Sequence, residues 1–535
     1  MPPQPYDQPI RDITNYIHHH PITDPDAYAA ARIALLDALG CAIETASKSP
    51  AARQLLGPIV PGTIVPNGFK VPGTAYQVDP VKGAFDLGVL VRYLDHNDAL
   101  GGMEWGHPSG RFPLPILTYI YHLSHDENDN DDGGIDNIPA LLSITSYLSL
   151  TQPPPSQVPP NSTPSPPNPT LHTLLSTLIK TYEIQSHYQL HNAFNTYNID
   201  HTILTKLAST ALVSYLLGHP PATTHALLSH VWMDGHPSRL YRSRGTTVPR
   251  KGWAAGDACS RAVWLGLLGD RAGVAMEGVP GVLSGPGGFW EGRFGGDGFR
   301  FPDCEGGIGM GCETVKRVMY KVMPVEGHGI AAVEAALVQA GRMRGMGVGV
   351  EEVEGVEVRT TWAAGHIISR PGRGGGKGEG RAERDHCLEF VVAVALVKGG
   401  PLVVEDYGDR EEGGWGDDPV VEEVRGRVVV RVDEGLTRDY LDPGKRSIGA
   451  GVVVRLQGGR VLEEVLVEYP VGHARNLKTR EEVRKKFVRN MRLMFRDEEI
   501  EEVLRLVEVD DLKVCEFVDL FAREHSDSGE DKAKL

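Results

Sequence analysis

Cysteine pairing is the first thing this sequence lacks. Its six cysteines (Cys41, Cys259, Cys304, Cys312, Cys387 and Cys515) are scattered along 535 residues with no C-x-x-C among them. That removes the simplest zinc ribbon or iron–sulfur ligand set and reads as reduced thiols. Long apolar runs are missing too. The longest, Phe390 to Val397, has eight residues, whereas a membrane-spanning helix needs about 20. Basic charge is scarce: 54 Lys and Arg face 70 Asp and Glu, a formal charge of −16. A nucleic-acid surface clusters cations against phosphates, so that class of partner is not expected. The N-terminal segment holds Arg11 against Asp7, Asp12, Asp24 and Asp26. It has neither the Arg-rich pattern of a mitochondrial presequence nor the apolar core of a secretory signal, and a cytoplasmic location is expected. Metal and nucleotide motifs are also missing: there is no H-E-x-x-H, no EF-hand loop and no G-x-x-x-x-G-K-[ST]. The glycines of GVLSGPGGFWEG and GVGVEEVEGVEV are not set in a strand–turn–helix unit, so they are not a dinucleotide fingerprint.

What is present suits a globular protein with sizeable cores, since 41% of the residues are apolar. Asp24 and Pro25 read as a helix start, and Ile33, Leu36 and Leu39 continue at helical spacing over residues 25–46. The same periodicity predicts helices at 82–96, 112–124, 171–184, 201–217 and 256–268. Residues 125–136 are acidic and 151–170 are rich in Pro, Ser and Asn, and both read as loop insertions. From about residue 312 the texture changes. Alternating segments at 349–359, 426–432, 450–456 and 460–468 predict strands with one face buried. A helix over Ala331–Met343 lies among them, and a glycine-rich loop runs from Arg370 to Gly380. Helical spacing returns at 480–495, with Val483, Phe487, Met491 and Met494 on one face, and at 499–521. The order is helical, mixed, helical, so the last helices are expected to close back onto the first part. The expected division is 1–311, 312–470 and 471–535.

Four clusters combine ionisable groups with turn residues. LDHNDALGGMEWGHPS carries Asp95, Asp98, Glu104 and His107. HNAFNTYNIDHTILTKLAST carries His191, His201 and Lys206. RGTTVPRKGWAAGDACSRA carries Arg250, Lys251 and Asp257, and KVMPVEGHGIAAVEAA carries Lys321 and His328. Taken singly, each also fits a capping or solvated role: a His at a helix start is commonly a cap, and a basic loop before a helix is commonly wet.

Read in order, the blocks do more. The stretch RIALLDALGCAIETA through LLGPIVPGTIVPNGFKVPGTAYQVDPVKGAFDLGVLVRYLDHND and EWGHPS is similar to the 2-methylcitrate dehydratases of the MmgE/PrpD superfamily. The likeness continues through NAFNTYNIDHTILTKLASTALVSYLLG, SHVWMDGHPSRLYR, KGWAAGDACSRAV, VEGHGIAAVEAA, ERDHCLEFVVAVALV and VLVEYPVGHAR. It spans nearly the whole chain outside 125–170 and 370–380. The resemblance implies a mainly α fold with α+β: a large all-helical domain and a smaller α+β lid, an active site between them, and a homodimer. It implies a hydro-lyase without metal or other cofactor, acting on a small-molecule tricarboxylate. Asp95, His107, His201, Lys251 and His328 match the family's site positions. Where the family has Thr four residues after the Asp, this chain has Ala99, and Gly110 and Arg111 follow H-P-S where relatives often have Asp-Asn.

Dehydration takes a proton from the carbon beside a carboxylate and expels a hydroxyl, so it needs a base, an acid and cations for the carboxylates. His107 and His201 are assigned to proton transfer, Lys251 and His328 to carboxylates, and Asp95 to orienting a His. The substrate is expected to be 2-methylcitrate or a longer 2-alkylcitrate. Decarboxylation of cis-aconitate to itaconate is the alternative from residue types, and an impaired paralogue with a binding role is a second. A chain of charge −16 must gather its cations locally to hold such an anion. Before residue 240 its lysines are Lys48, Lys70, Lys82, Lys180 and Lys206 only, and the densest basic stretch, Arg239 to Lys251, leads into the expected site.

Overall fold

The computed structural model describes residues 5–100, 136–151, 169–242, 248–301, 309–370, 380–442 and 444–523. Within them the chain is mainly α with an α+β part. Helix α1 (Gln8–His19) buries Ile10, Ile13 and Ile17 along one face. Helix α2 (Pro25–Lys48) starts as the sequence predicts: the Asp24 side chain accepts from the Asp26 N–H, and Pro25 opens the first turn. There follow α3 (Pro80–Arg92), α4 (Ile138–Thr151), α5 (Leu171–Gln189), α6 (Thr202–Leu216), α7 (Pro221–Met233) and α8 (Ala254–Ala272). The periodicity did not single out α4, because its whole first half is buried and it has no polar face to set a period.

The α+β part begins with α9 (Ile330–Gly345) and β1 (Val353–Thr360), then α10 (Leu388–Lys398), β2 (Val428–Val432), β3 (Ala450–Leu456) and β4 (Val465–Val467). The sheet order is β2-β1-β3-β4. β1 runs parallel to β2, with Val356 opposite Val428, and antiparallel to β3, with Val356 opposite Val454. The alternation in β1 is the one read from sequence. Val356, Val358 and Thr360 face inward, while Arg359 faces out to Glu464 (2.9 Å) and Asp433 (2.8 Å). The run Phe390–Val397 is a buried helix, α10, packed on α9. The strand expected over 460–468 is shorter: after the turn at Gly458 and Gly459, both at positive φ (76°), Val461 makes only an isolated bridge to Arg455, and the continuous ladder runs over Val465–Val467.

The chain then returns through α11 (Thr479–Met491), α12 (Asp497–Leu506) and α13 (Val514–Asp519). The single helical stretch expected over 499–521 is split in two. The carbonyls of Asp510 and Leu512 accept from the His172 and Leu171 N–H groups (2.9 Å each), so this backbone serves the start of α5 and not a helix of its own. Helices α1–α8 and α11–α13 share one apolar core, and α9, α10 and the sheet share a second. Tyr320 belongs to the first and Met323 to the second. Ala99 pairs with Met319 through two backbone hydrogen bonds of 2.8 Å where the cores meet. No helix among the described residues is long and apolar enough to cross a membrane.

One helix crossing positions two distant segments against each other. α3 and α8 touch backbone to backbone: a Cβ on Gly88 would overlap the Gly256 Cα, and one on Gly256 would lie 2.7 Å from the Phe85 carbonyl oxygen. Further along, a Cβ on Gly252 would lie 3.0 Å from the Tyr93 Cα. The helices therefore run antiparallel in close contact, and the segment after α3 meets the segment before α8. Gly88→Ala should force them apart and cost about 1–3 kcal/mol, as overpacking does. Thermal denaturation of the variant checks this, and an unchanged midpoint would show that the crossing is not tight.

Candidate active site

The first consequence of that crossing is the placement of Asp95 beside Lys251. Arg92 ends α3, and its carbonyl accepts from the Asp95 N–H (3.0 Å) as Asp95 turns the chain with φ 53°. Left-handed backbone is uncommon for a residue with a Cβ, and Asp is among those that tolerate it. The turn folds the Asp95 carboxylate back, so that Oδ1 accepts from the Arg92 guanidinium and from Lys321 Nζ (2.6 Å). Lys321 arrives from the strand-like bridge between Ala99 and Met319. Lys251 Nζ stands 3.8 Å from Oδ2 of the same carboxylate. Burial alone would raise the Asp95 carboxyl, but Arg92, Lys321 and Lys251 outweigh it and hold it well below the usual carboxylate range.

The second core closes the cluster with Asp385 and His386, from the segment that leads into α10. Lys251 Nζ donates to Asp385 Oδ1 at 3.3 Å, and His386 Nδ1 lies against the same oxygen at 2.5 Å. A carboxylate can only accept, so Nδ1 carries the hydrogen and Nε2 points to Asp95 Oδ2, 3.7 Å away. Burial would raise the Asp385 carboxyl too; Lys251 and His386 pull it below its ordinary range. Asp95, Asp385 and His386 offer three ligand atoms within 4.8 Å of one another. A divalent ion there would have to displace Lys251, whose ammonium lies 3.3–3.8 Å from an atom of each of the three. The cluster is a buried set of cations held in place by carboxylates.

The remaining expected residues are distributed around this centre. His201 is buried at the start of α6, but it does not cap the helix. Asp200 does, accepting from the Thr202 N–H (3.1 Å). His201 Nδ1 lies 3.7 Å from Asp200 Oδ1, and Arg242 donates to Asp200 Oδ2 at 2.7 Å. Arg242 also acts on buried Asp136, which sits 3.7 Å from Arg92, so charges link His201 to Asp95. His328 is 1% exposed, which excludes the solvated helix-start role. Glu326 Oε1 lies 2.8 Å from its Nδ1 and the Tyr440 hydroxyl 3.2 Å from its Nε2. The Glu326 N–H donates to the Asp385 carbonyl (3.3 Å), which joins this segment to the cluster. Lys251 is 5% exposed, so it is no wet basic loop. His107, the segment 112–124 and most of both loop insertions lie outside the described residues.

Sequence reasoning singled out Asp95, Lys251 and Lys321, but not Arg92, Asp385 or His386. The signal for the last two was the charged run Glu383–His386 set against an apolar stretch that had to be buried. Ala99 proves to be backbone at a core boundary: its side chain is 1% exposed among the apolar groups of the second core.

Residues 11–129 and 133–302 match the MmgE/PrpD N-terminal domain, and residues 323–511 match the MmgE/PrpD C-terminal domain. An alkylcitrate dehydratase of a fungal species is 47% identical over 97% of this chain and 94% of its own. A 2-methylcitrate dehydratase-like protein of Aspergillus oryzae is 39% identical over 96% of each chain. The 2-methylcitrate dehydratase of Salmonella typhimurium is 38% identical over 88% of this chain and 87% of its own.

Asp98, three residues past Asp95, generates a pH prediction. Burial and the nearby Asp37 push its carboxyl up to about 8, and the Tyr182 hydroxyl donates to its Oδ2 (2.8 Å). The folded protein thus keeps a proton that an unfolded Asp releases near pH 3.9. That contribution to stability is full in acid and is lost as the pH rises towards about 8. Asp98→Asn should remove this dependence, raising the melting temperature more at pH 8 than at pH 5. A gain that is equal at both pH values would contradict the assignment.

Proposed function

The chain belongs to the MmgE/PrpD family, and we propose that it dehydrates a 2-alkylcitrate, either 2-methylcitrate or a homologue with a longer alkyl group, to the corresponding alkyl-aconitate. The observation that carries this reading is the buried meeting of Asp95, Lys251, Lys321 and Arg92 in a chain whose relatives are named dehydratases of these acids. The higher identity to an alkylcitrate dehydratase favours the longer substrate. Decarboxylation of cis-aconitate and a purely binding role, both open from residue types, are not favoured by these relatives.

In this reading Lys251 and His328 hold carboxylates of the substrate. The cations near Asp95 stabilise the negative charge that builds on a carboxylate as the adjacent carbon loses its proton. His107 and His201 move protons: one removes the C–H proton, and the other gives a proton to the departing hydroxyl, which leaves as water. Asp95 orients this machinery by fixing Lys251, Lys321 and Arg92. The reaction is metal-independent in this proposal, because Lys251 supplies the positive charge at the carboxylates. A cytoplasmic location accords with cysteines that form no disulfide among the described residues. A homodimer is expected, and exposed Ile59, Val60 and Ile64 are apolar surface that such a contact would cover.

The test is to incubate purified protein with 2-methylcitrate, a longer 2-alkylcitrate and cis-aconitate, with and without chelator. Conjugated aconitate absorbance from the citrates is the expected result and should be unchanged by chelator. Itaconate with CO₂ from cis-aconitate would support the decarboxylase instead. Loss of activity on chelation, restored by iron, would overturn the metal-free mechanism. His201→Gln should lower kcat by about 10²–10⁴-fold, the usual contribution of a positioned acid or base, and Lys251→Ala should raise KM. Full activity in both variants would overturn the assignment of the site.

A further inference from the structure

The cluster poses a problem for its own proposed function. Lys251, the residue assigned to a substrate carboxylate, is already committed to two carboxylates of the protein: Asp385 Oδ1 at 3.3 Å and Asp95 Oδ2 at 3.8 Å. A tricarboxylate must compete with both. His386 faces the same two partners, with Nδ1 against Asp385 Oδ1 and Nε2 3.7 Å from Asp95 Oδ2. Neutral, it offers Asp385 one hydrogen bond. Protonated, it offers an N–H to each carboxylate and a full positive charge between them, which is what Lys251 supplies in this arrangement.

We propose that Asp385 and His386 are positioning residues that act through Lys251: His386 takes up a proton when the tricarboxylate binds, replaces Lys251 as counter-ion of Asp385 and Asp95, and so releases the lysine to the substrate. This rests on the proposed dehydratase reading for the identity of the anion, and deepens it. The balance is simple. One proton enters from solvent, one carboxylate of the ligand takes Lys251, and no bond of the substrate is broken in the step.

The surroundings of His386 support the exchange. From its own segment it faces Asp385. From the loop before α8 it faces Lys251, and from the turn after α3 it faces Asp95, with Arg92 and Lys321 behind. Asp385 is backed by the buried Tyr407, whose hydroxyl donates to the Pro324 carbonyl (2.6 Å) and whose ring lies under Arg381. Lys251 Nζ stands 3.3 Å from His386 Nδ1, so a positive charge on the ring would face the lysine's own charge at close range. Added positive charge at His386 is therefore unfavourable until an anion arrives. This is the sign that couples proton uptake to binding. An imidazole titrates in the range where such coupling is visible.

The experiment uses the full chain and two readouts. Calorimetry follows binding of tricarballylate, a tricarboxylate with no hydroxyl to lose, in buffers of different ionisation enthalpy. Steady-state kinetics follow dehydration of 2-methylcitrate and a longer alkylcitrate. Above the last ionisation of the ligand, the wild type should take up close to one proton on binding, and KM should rise by about tenfold per pH unit. In His386→Gln the uptake should vanish, and KM should be flat and high, because Lys251 stays with Asp385. In Asp385→Asn the uptake should also vanish, but KM should be flat and low at high pH, because a competitor is gone. In both, kcat should change less than KM. Opposite shifts of KM in the two variants are not what loss of packing would produce. If tricarballylate binds the wild type without proton uptake, or does not bind, the proposal is overturned whatever the activity. It is also overturned if His386→Gln keeps the wild-type slope, or if Asp385→Asn raises KM. Should the wild type bind tricarballylate with uptake yet dehydrate none of the citrates, the dehydratase reading falls and the exchange at Lys251 stands. If His386→Gln does not fold, Asp385→Asn and the wild-type calorimetry decide the matter.

Discussion

A carboxylate taken out of water costs several kcal/mol unless cations replace its hydration, and the structure is arranged around meeting that cost for Asp95. The three cations that do so come from three places in the chain, and each needs its own device. Arg92 reaches Asp95 because the chain turns left-handed directly after α3. Lys251 reaches it because Gly88 and Gly256 let two helices meet without intervening side chains. Lys321 reaches it because the backbone of Met319 pairs with Ala99 as the chain crosses from one core to the other. Remove any of these devices and the carboxylate loses a partner it cannot replace from solvent.

The same logic explains why the C-terminal helices return to the first core. Lys486 of α11 is 2% exposed, and its ammonium donates to Asp37 Oδ1 (2.8 Å) and to the His96 carbonyl (2.5 Å), the residue after Asp95. Asn490, one turn on, donates to Glu44 Oε2 (3.2 Å), which also accepts from His96 Nδ1 (2.7 Å). Burial first, then the Lys486 charge, lowers His96 to about 4, so it serves here as a neutral donor. The last helices therefore pin the Asp95 turn from behind while the second core approaches with Asp385 and His386.

The parts of this arrangement that could be read from the sequence are those written in local periodicity. The start of α2 at Asp24–Pro25, the alternation in β1 and the Val483–Phe487–Met491 face of α11 are all visible one segment at a time. Elements without a polar face were harder. α4 and the run that becomes α10 are buried over most of their length, and an apolar stretch with no period does not announce its structure. The two halves of the stretch after residue 497 looked like one helix, because the demand that splits them comes from the backbone of α5, more than 300 residues away in sequence. At the site, Asp95, Lys251 and His328 stood out by type and by family likeness. Asp385 and His386 did not, because their significance lies in which side chain they meet, and no spacing in the sequence encodes a contact across 134 residues.

The charge of −16 acquires a physical meaning at this cluster. A pocket lined only by lysines and arginines would repel itself when empty and would be costly to fold. This protein instead holds Lys251, Lys321 and Arg92 on Asp95 and Asp385, nearly balanced and buried, so the cations are in place before any anion arrives. In the proposed exchange, an arriving tricarboxylate gains by changing partners within the cluster, not by meeting bare positive charge. On that proposal selectivity follows from geometry, because an anion that cannot reach Lys251 while Asp95 and Asp385 keep other counter-ions gains nothing from the site. The acidic surplus of the chain and the proposed acidic ligand are thus compatible, since carboxylates of the protein are what keep these cations ordered.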